Sequence, residues 1–503
     1  MSRVCTRLPF LLVIAGLAVT AYAQNQPAVN PSAVFKTIVA YQGGAIAGIR
    51  AARPVLKGIA AAPTVFSGPR YRVGPTITPT STVPEAEEHI AVDPLKFDNL
   101  VAMISDFSIF RAGFFFNTSK FAVSTNNGDS WSEHFVPLNA SKFPVTADNH
   151  VWQANSDPVV AIDKLGNVFL ANLYLQVNRD GNVTNDGYYV CVAKMSTGPK
   201  FTKAGCKPVR TSLVSSTDLE DKNWLAVDNS TAATSGNVYA VWTHFSATSD
   251  MIFLSRSTNH GLTWSSAIQI NRASQNGAVQ GSQVAVGPGG EVYVSYEVFF
   301  TGNKRQHFIA KSTNGGVSFN RPVAMTPMFN DLTFTATYRD NSFPAMAVSP
   351  VATKGFIYDV YTDQPGANSR TEFVRSKTAG GLTFTTPIRV NDVSSGQRLM
   401  PAVATDTNGL VHISWFDTRR SGGSTNLLDI FATFTKNNGT SFAPNARVTS
   451  TRIDAGEAGF IGDYSGIGAG PNGTTNLAHP VWTNGGVGGS TFGELQTATL
   501  TAP

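Results

Sequence analysis

One pattern recurs seven times along this chain and limits the folds that the chain can adopt. Each copy has a short apolar strand, a polar turn, and a second strand in which aromatic and polar residues alternate. The copies occupy residues 90–104, 159–173, 224–242, 284–296, 345–361, 402–415 and 466–482. They start roughly 57 to 70 residues apart, and such a period with short strands predicts an all-β propeller of four-stranded antiparallel blades.

A second repeat is an octapeptide that follows a short apolar strand. It reads Ser-Thr-Asn-x-Gly-x-Ser/Thr-aromatic at residues 124–131, 257–264 and 312–319, with weaker copies at 377–384 and 435–442. Glycine supplies a positive φ, asparagine and the hydroxyls bond nearby amides, and the aromatic ring is buried between sheets. Each of the five octapeptide copies is therefore predicted to form a hairpin turn.

The repeats predict seven blades, with six as the alternative. The seventh unit has only three strands, the last at residues 494–500, so a strand from residues 71–77 is expected to complete it and close the ring. Residues 24–80 are rich in Ala, Pro and Thr, which predicts an extended lead-in that includes this strand. Residues 81–503 are predicted to form a single propeller domain.

The first 23 residues have the pattern of a secretory signal peptide. Arg3 and Arg7 precede a short apolar run, and Ala21-Tyr22-Ala23 fits a cleavage site before Gln24. We therefore expect a secreted protein, extracellular or periplasmic, with no membrane segment after cleavage. Basic residues exceed acidic ones by five, and by three without the leader arginines, which is too little to indicate nucleic-acid binding.

Two cysteines remain after the leader, Cys191 and Cys206. In an oxidising compartment they are expected to form a disulfide, because the residues between them read as strand, turn and strand. A metal site or a reactive thiol pair is the alternative, but there is no neighbouring His and no CxxC spacing.

The expected geometry of a blade places the candidate site on one rim. The octapeptide turn and the turn between the first two strands face one rim, so ligands should bind on the opposite rim and at the axis. Polar residues are concentrated in the loops of that opposite rim. They include Glu87, Glu88, His89, Asp157, Asp221, Lys222, Arg339, Asp340, Arg398, Glu297, Asp363, Asp417, Asp463 and Tyr464.

Two clusters on this rim are the strongest candidates. Asp417, Arg419 and Arg420 follow the second strand of blade 6, and Asp463 and Tyr464 precede the first strand of blade 7. Arginines bind carboxylates bidentately, and an Asp beside an apolar wall can hold a proton. We predict catalytic roles for Asp463, Tyr464 and Asp417. Substrate-binding roles are predicted for Arg398, Arg419, Arg420, Glu297, Asp363 and Asp157. The alternative is a rim salt bridge and a packed tyrosine.

The octapeptides resemble the Asp-boxes of the sialidase-type (BNR) repeat family, although their third position is Asn126, Asn259, Asn314, Ala379 or Asn437 instead of Asp. Sialidases of this kind bind the substrate carboxylate with three arginines, attack with a tyrosine assisted by a glutamate, and use an aspartate as acid/base. Their Phe/Tyr-Arg-Ile-Pro signature is absent, and the nearest string, at residues 110–113, lies beyond the first two strands. Tyr464 is therefore the first candidate nucleophile, and Tyr296 with Glu297 the weaker one.

The resemblance implies a secreted, glycan-directed propeller, with an exo-glycosidase acting on acidic sugars as the first hypothesis. The alternative is a non-catalytic propeller that binds a glycan or protein partner. HExxH, CxxC, GxSxG and P-loop motifs are absent, so we predict no metal and no cofactor. The expected partner is an extracellular glycan or glycoprotein, and the expected state is a monomer.

Overall fold

The computed structural model describes most of the chain from residue 65 onward. The described residues are 65–80, 85–111, 114–136, 152, 154–177, 183–195, 198, 200, 201, 205–213, 219–246, 249–334, 336, 338, 339, 341–351, 353–458, 461–485 and 493–503. The predicted signal peptide lies outside them. Within them, no helix is long and apolar enough to cross a membrane.

The described residues form seven antiparallel sheets, one for each blade, and this confirms the predicted seven-bladed propeller. The first strand is β1 (Arg72–Ile77). Blade 1 contains β2 (Glu85–Val92), β3 (Leu100–Arg111), β4 (Phe114–Ser124) and β5 (Ser132–Phe135). Blade 2 contains β6 (Ala154–Ile162), β7 (Asn167–Val177), β8 (Val183–Lys194) and β9 (Cys206–Leu213). Blade 3 contains β10 (Leu219–Val227), β11 (Val238–Phe245), β12 (Met251–Ser257) and β13 (Ile268–Gln269).

Blades 4 and 6 each carry one additional short strand. Blade 4 contains β14 (Val279–Val286), β15 (Val292–Phe300), β16 (Lys304–Ser312), β17 (Val323–Ala324) and β18 (Phe329–Asn330), after a 3-10 turn at Ala273–Gln275. Blade 5 contains β19 (Ala345–Val348), β20 (Ile357–Asp363), β21 (Arg370–Arg375) and β22 (Ile388–Arg389). Blade 6 contains β23 (Arg398–Thr405), β24 (Val411–Asp417), β25 (Leu427–Thr435), β26 (Ala446–Arg447) and β27 (Ile453–Asp454), and the short helix α1 (Ala455–Ala458) follows. Blade 7 contains β28 (Gly466–Asn472), β29 (Thr475–Asn484) and β30 (Glu494–Ala502).

The N-terminal strand β1 closes the ring, as predicted. It pairs antiparallel with β30 as the outer strand of blade 7, with Ile77 opposite Thr497. Tyr71, just before β1, is buried against Phe434, and its hydroxyl lies 2.6 Å from Nδ1 of His412 in blade 6. The six-bladed alternative is therefore wrong, whereas the domain boundary at residue 81 stays a prediction.

The octapeptides form hairpin turns between the third and fourth strands of blades 1, 3, 4 and 6. In the first, the Ser124 hydroxyl accepts a hydrogen bond from Gly128 N at 2.9 Å, and Asn126 Oδ1 accepts one from Ser130 N at 3.0 Å. The turns that begin at residues 257, 312 and 435 share this network. The copy at residues 377–384 has Ala379 at the third position, which provides no side-chain acceptor.

The octapeptide turns and the turns between first and second strands lie on one rim of the propeller, and the remaining loops lie on the opposite rim, as expected. Asn127 N, in an octapeptide turn, donates to Asp98 O in the turn between the first two strands, so both turns lie on one rim. Asp93 caps that second turn by accepting from Leu95 N at 2.9 Å, and the equivalent Asp163, Asp228 and Asp406 do the same. Asp417 lies at the far end of β24, on the opposite rim.

Apolar residues fill the space between neighbouring blades. Tyr188 of blade 2 packs edge-on against Trp242 of blade 3 with ring centroids 5.8 Å apart, and both rings are buried. Cys191 of β8 and Cys206 of β9 are cross-strand partners and form the predicted disulfide. Because the blades are rigidly packed, loops from different blades hold fixed positions around the axis.

Candidate functional site

Five innermost strands share a backbone irregularity where they approach the axis. The pairing with the second strand slips between Ala86 and His89 in β2, and at the equivalent places in β6, β10, β14 and β23. The first residue of each slip has a positive φ: Glu87 (67°), Asp157 (50°), Lys222 (53°), Gly281 (69°) and Met400 (45°). Each non-glycine residue in this region costs of order 1 kcal/mol, and such strain is concentrated at functional sites.

A cavity lies at the axis, and six of the seven blades contribute to its wall. Trp224, Phe343 and Tyr464 form an aromatic side. The other lining residues are His89, Lys222, Asn223, Gly281, Ser282, Gln283, Asn341, Pro344, Ala345, Met346, Met400, Pro401, Ala402, Val403, Asp463, Ser465, Gly466 and Ile467. An aromatic wall beside a few charged groups is the usual composition of a small-molecule site.

Asp463 is the centre of an ionic cluster at this cavity. Its Oδ1 accepts from Nζ of Lys222, and its Oδ2 lies 3.1 Å from Nη1 of Arg339. Nζ of Lys222 also lies 3.7 Å from the ring centroid of Tyr464, within cation–π distance. The Arg339 side chain is 25% exposed, so it is more accessible to solvent than Lys222.

Carboxyl groups outnumber cations in this cluster. Glu87, Asp157 and Asp221 also belong to it and lie behind the cavity-lining residues Lys222 and Asp463. Burial raises the pKa of Glu87 well above its ordinary value, and repulsion from Asp157 and Asp463 adds to the effect. The pKa of Asp221 rises to about 8, because of burial first and then repulsion from Asp157. Asp221 is half-buried, and at neutral pH its carboxyl group keeps its proton.

The pKa of Asp463 shifts in the opposite direction. Burial disfavours its charged form, but attraction to Lys222 and Arg339 outweighs burial and lowers the pKa below its ordinary value. Asp221 and Asp463 thus lie in one cluster around Lys222 with pKa values moved apart. Opposite shifts in a pair of carboxyl groups mark an acid and a base in many active sites.

Tyr464 forms part of the cavity wall as a neutral phenol. Burial raises its pKa well above the ordinary value, and repulsion from Glu87 and Asp157 adds to this. Its hydroxyl is buried without a hydrogen-bond partner among the residues that the structure describes. The ring packs edge-on against Trp224 with centroids 6.1 Å apart.

The structure places Asp417, Arg398 and Arg419 in a separate cluster inside blade 6. Asp417 Oδ2 accepts from Nε of Arg398 at 3.1 Å, from Nη2 of Arg419 at 2.7 Å and from Nε1 of Trp415 at 2.9 Å. Asp417 and Arg398 are completely buried. The expectation that this cluster and Asp463 lie together needs correction: none of these residues lines the axial cavity, because their hydrogen bonds turn them into the blade.

None of the remaining predicted site residues lines the cavity, although Asp157 belongs to the ionic cluster beside it. Arg420 is 54% exposed, with Nε 3.8 Å from Asp429 Oδ2. Glu297 is buried between Arg305 and His307, and burial raises its pKa to about 7. Asp363, at the end of β20, accepts hydrogen bonds from the backbone and side-chain nitrogens of Asn330 in blade 4. The hydroxyl of Tyr296 donates to Gln275 Oε1 at 2.9 Å inside blade 4.

Four residues of the cluster were left out of the predicted site: Glu87, Asp221, Lys222 and Arg339. Their signal was their position in the repeat. Glu87, Asp221 and Lys222 lie near the start of innermost strands, at the backbone slip, and Arg339 lies in the loop before β19. Asp417, Arg419 and Arg420 were favoured instead because they lie close together in sequence. In the part of the chain that the structure describes, no group of three or more His, Cys, Asp or Glu residues could hold a metal ion.

No family model matches the chain, and no curated protein sequence matches it either. Several solved structures are similar to it. A protein of unknown function from Dyadobacter fermentans is 12% identical, with a TM-score of 0.45, and the match covers 91% of this chain and 100% of that one. A polysaccharide lyase of family PL25, an ulvan lyase, is 10% identical with a TM-score of 0.45, covering 82% and 94%. A sialidase from Trypanosoma rangeli is 10% identical with a TM-score of 0.38, covering 83% and 55%.

Proposed function

We propose that this protein is a glycan-directed propeller that hydrolyses a glycosidic bond of an acidic sugar at the axial cavity. The observation that carries the proposal is the opposite pKa shift of Asp221 and Asp463 in one cluster. Asp221 is the proton donor in this proposal, and Asp463 is the ionised partner. Asp463 was predicted from the sequence, and Asp221 replaces Asp417 as the second carboxyl group.

Hydrolysis of a glycosidic bond needs the two states that these carboxyl groups adopt. A protonated carboxyl group gives its proton to the leaving oxygen as the carbon–oxygen bond breaks. An ionised carboxylate stabilises the positive charge that develops on the sugar, and a water molecule then adds to the anomeric carbon. The proton released by that water restores the protonated form of Asp221, so no other reactant is required.

Arg339 supports the assignment of an acidic sugar. Its guanidinium donates through Nη1 to Asp463, a residue of the cavity wall, and its side chain is one-quarter exposed. Guanidinium groups bind carboxylates bidentately. Trp224 and Tyr464 provide aromatic surface for the apolar face of a sugar ring. We assign Tyr464 to this contact, since its raised pKa disfavours the phenolate that a nucleophile requires.

The test is an assay of secreted protein on fluorogenic sialosides, uronides and neutral glycosides. We expect turnover on an acidic sugar. Asp221→Asn and Asp463→Asn should each lower kcat by about 100-fold or more, since proton transfer by a placed side chain contributes that much. Asp129→Asn is the matched control, because Asp129 is an exposed residue of an octapeptide turn on the other rim. Full activity in Asp221→Asn would refute its role.

A non-catalytic, glycan-binding propeller is the second candidate. The observation in its favour is that Lys222 and Arg339 both engage Asp463, as in ion pairs that only stabilise a fold. Saturable binding of an acidic sugar with no turnover of any glycoside would support this function over hydrolysis.

We also propose that the protein acts outside the cytoplasm as a monomer with an extracellular glycan or glycoprotein as its partner. The predicted leader and the Cys191–Cys206 disulfide support this location, since disulfides persist in oxidising compartments. Mass spectrometry of protein recovered from the medium or periplasm should give Gln24 as the first residue. An intact Met1 there would contradict the proposal.

A further inference from the structure

Three arginines converge on one aspartate on the same rim as the axial cavity. Nη2 of Arg447 lies 2.7 Å from Asp429 Oδ1, and Nε of Arg420 and of Arg452 lie 3.8 and 3.9 Å from Asp429 Oδ2. Asp429 is buried near the start of β25. Its cross-strand neighbour in the β-sheet register is Asp417, at the end of β24. We call Arg420, Arg447, Arg452 and Asp429 the arginine patch.

The arginine patch has donor capacity that Asp429 does not use. Arg447 and Thr449 occupy Oδ1 of Asp429 by hydrogen bonds of 2.8 and 2.9 Å. The contacts of Arg420 and Arg452 to Oδ2 are longer than a hydrogen bond. Arg452 donates instead from Nη2 to the Arg420 carbonyl at 2.7 Å. Within the patch, three guanidinium groups face one carboxylate, so positive charge is in excess.

The arginine patch is exposed, and a hydrogen bond between two loops links it to the axial cluster. Arg420 and Arg452 are 54% and 35% exposed. Arg420 lies in the loop between β24 and β25, and Thr425 O of that loop accepts from the hydroxyl of Tyr338. Tyr338 directly precedes Arg339, which bonds Asp463. The loop that brings Arg339 to the axis is therefore fastened to the loop that carries the patch.

We propose that the arginine patch binds an acidic polysaccharide chain whose end or branch occupies the axial cavity. The inference rests on the proposed function and extends it: the substrate is a polymer with anionic groups along its length, either carboxylates or sulfates. Guanidinium groups suit both anions, because their planar donors pair with two oxygens at once. Placement of the patch beside the loop of Arg339 lets one chain contact both regions.

The experiment measures binding of the full mature protein to defined polymers by affinity electrophoresis and biolayer interferometry. Polygalacturonate carries carboxylates, dextran sulfate carries sulfates, and dextran carries neither. We expect binding to one or both charged polymers and none to dextran. Arg420→Gln/Arg452→Gln should weaken binding by at least tenfold. Arg321→Gln, which changes an exposed arginine of blade 4, should leave binding unchanged. A melting curve checks that each variant is folded.

The possible outcomes separate the two proposals. Equal polymer binding by wild type and the folded double variant would overturn the arginine patch, even if small glycosides are hydrolysed. Binding that depends on the patch, without turnover of any glycoside, would support the patch and refute hydrolysis. Duplex DNA bound as tightly as the polysaccharides, and lost in the same variant, would overturn the assignment to a polysaccharide.

Discussion

The axial cluster and the buried cluster of blade 6 use the same kinds of side chain in two different ways. In blade 6, Asp417 accepts five hydrogen bonds at 2.7–3.1 Å from Arg398, Arg419 and Trp415. Asp392 also pairs with Arg419, so two carboxylates share two guanidinium groups. At the axis, Asp463 shares Lys222 and Arg339 with three other carboxyl groups. The cations satisfy one carboxylate and leave the others with raised pKa values.

The difference shows that the ratio of charges decides the role of an ionic cluster. A carboxylate that is fully paired and buried holds the fold together, and removing its partner leaves a buried charge without compensation. Carboxyl groups that are in excess over cations bind protons near neutral pH, and so they can donate them. Residue type and proximity in sequence do not distinguish the two cases, because both contain Asp and Arg.

The largest change in the free energy of unfolding should come from a substitution in the fully paired cluster of blade 6. Asp417→Asn removes the charge that balances Arg398 and Arg419 and leaves a buried guanidinium without its partner. We expect a loss of about 3 to 5 kcal/mol in the free energy of unfolding, measured by urea denaturation. Asp392→Asn removes a partly exposed partner of the same Arg419 and should cost less than about 1 kcal/mol. Equal losses in the two variants would remove the distinction.

Substitution of a buried carboxyl group that is not paired with a cation should change Tm by an intermediate amount that depends on pH. Glu88 is buried next to Glu87, accepts from the Thr483 hydroxyl at 2.7 Å, and has a pKa raised to about 8, chiefly by burial. Its stabilising contribution is complete below the ordinary pKa and is lost as pH rises through about 8. Glu88→Gln should therefore raise Tm by a few degrees at pH 9 and change it little at pH 5. A lower Tm for Glu88→Gln than for wild type at pH 9 would contradict the view that Glu88 lacks a cation partner.

The smallest change in the free energy of unfolding should come from removing one of the carboxyl groups that are in excess over cations in the axial cluster. Asp157→Asn keeps a residue that tolerates a φ of 50° and removes one negative charge. Burial and repulsion from Asp463 oppose the charge of Asp157, although Lys222 favours it. We expect the free energy of unfolding at pH 8 to rise by up to about 1 kcal/mol, in the same urea assay. A loss as large as that of Asp417→Asn would show that Asp157 is a required partner.

The architecture could be predicted because it repeats. Seven copies of one strand pattern, with glycine and asparagine at fixed positions in the octapeptide, identify the blades and their turns without any distant contact. The closing strand β1 was predictable from the missing fourth strand of blade 7. Tyr71, which anchors it to His412, was not, because that contact joins residues 341 positions apart.

The site could be predicted only in part, because it is built from contacts between blades. Lys222 and Asp463 are 241 residues apart, and nothing in either segment shows that they pair. The backbone slip that turns Glu87, Asp157 and Lys222 toward the axis is a register property of two strands. The sequence places charged residues at or just before the start of most innermost strands, but the partner of each one follows from the arrangement of the blades.

The central claim is that Asp221 holds a catalytic proton at neutral pH while Asp463 stays ionised. The most direct test is the pH dependence of kcat/KM on an acidic fluorogenic glycoside, for wild type and Asp221→Asn. For wild type we predict a level rate from about pH 5 to 7 and a decline as pH rises through about 8. Asp221→Asn should be at least 100-fold slower and lack this decline. An unchanged decline in Asp221→Asn, or a wild-type rate that increases up to pH 9, would contradict the account.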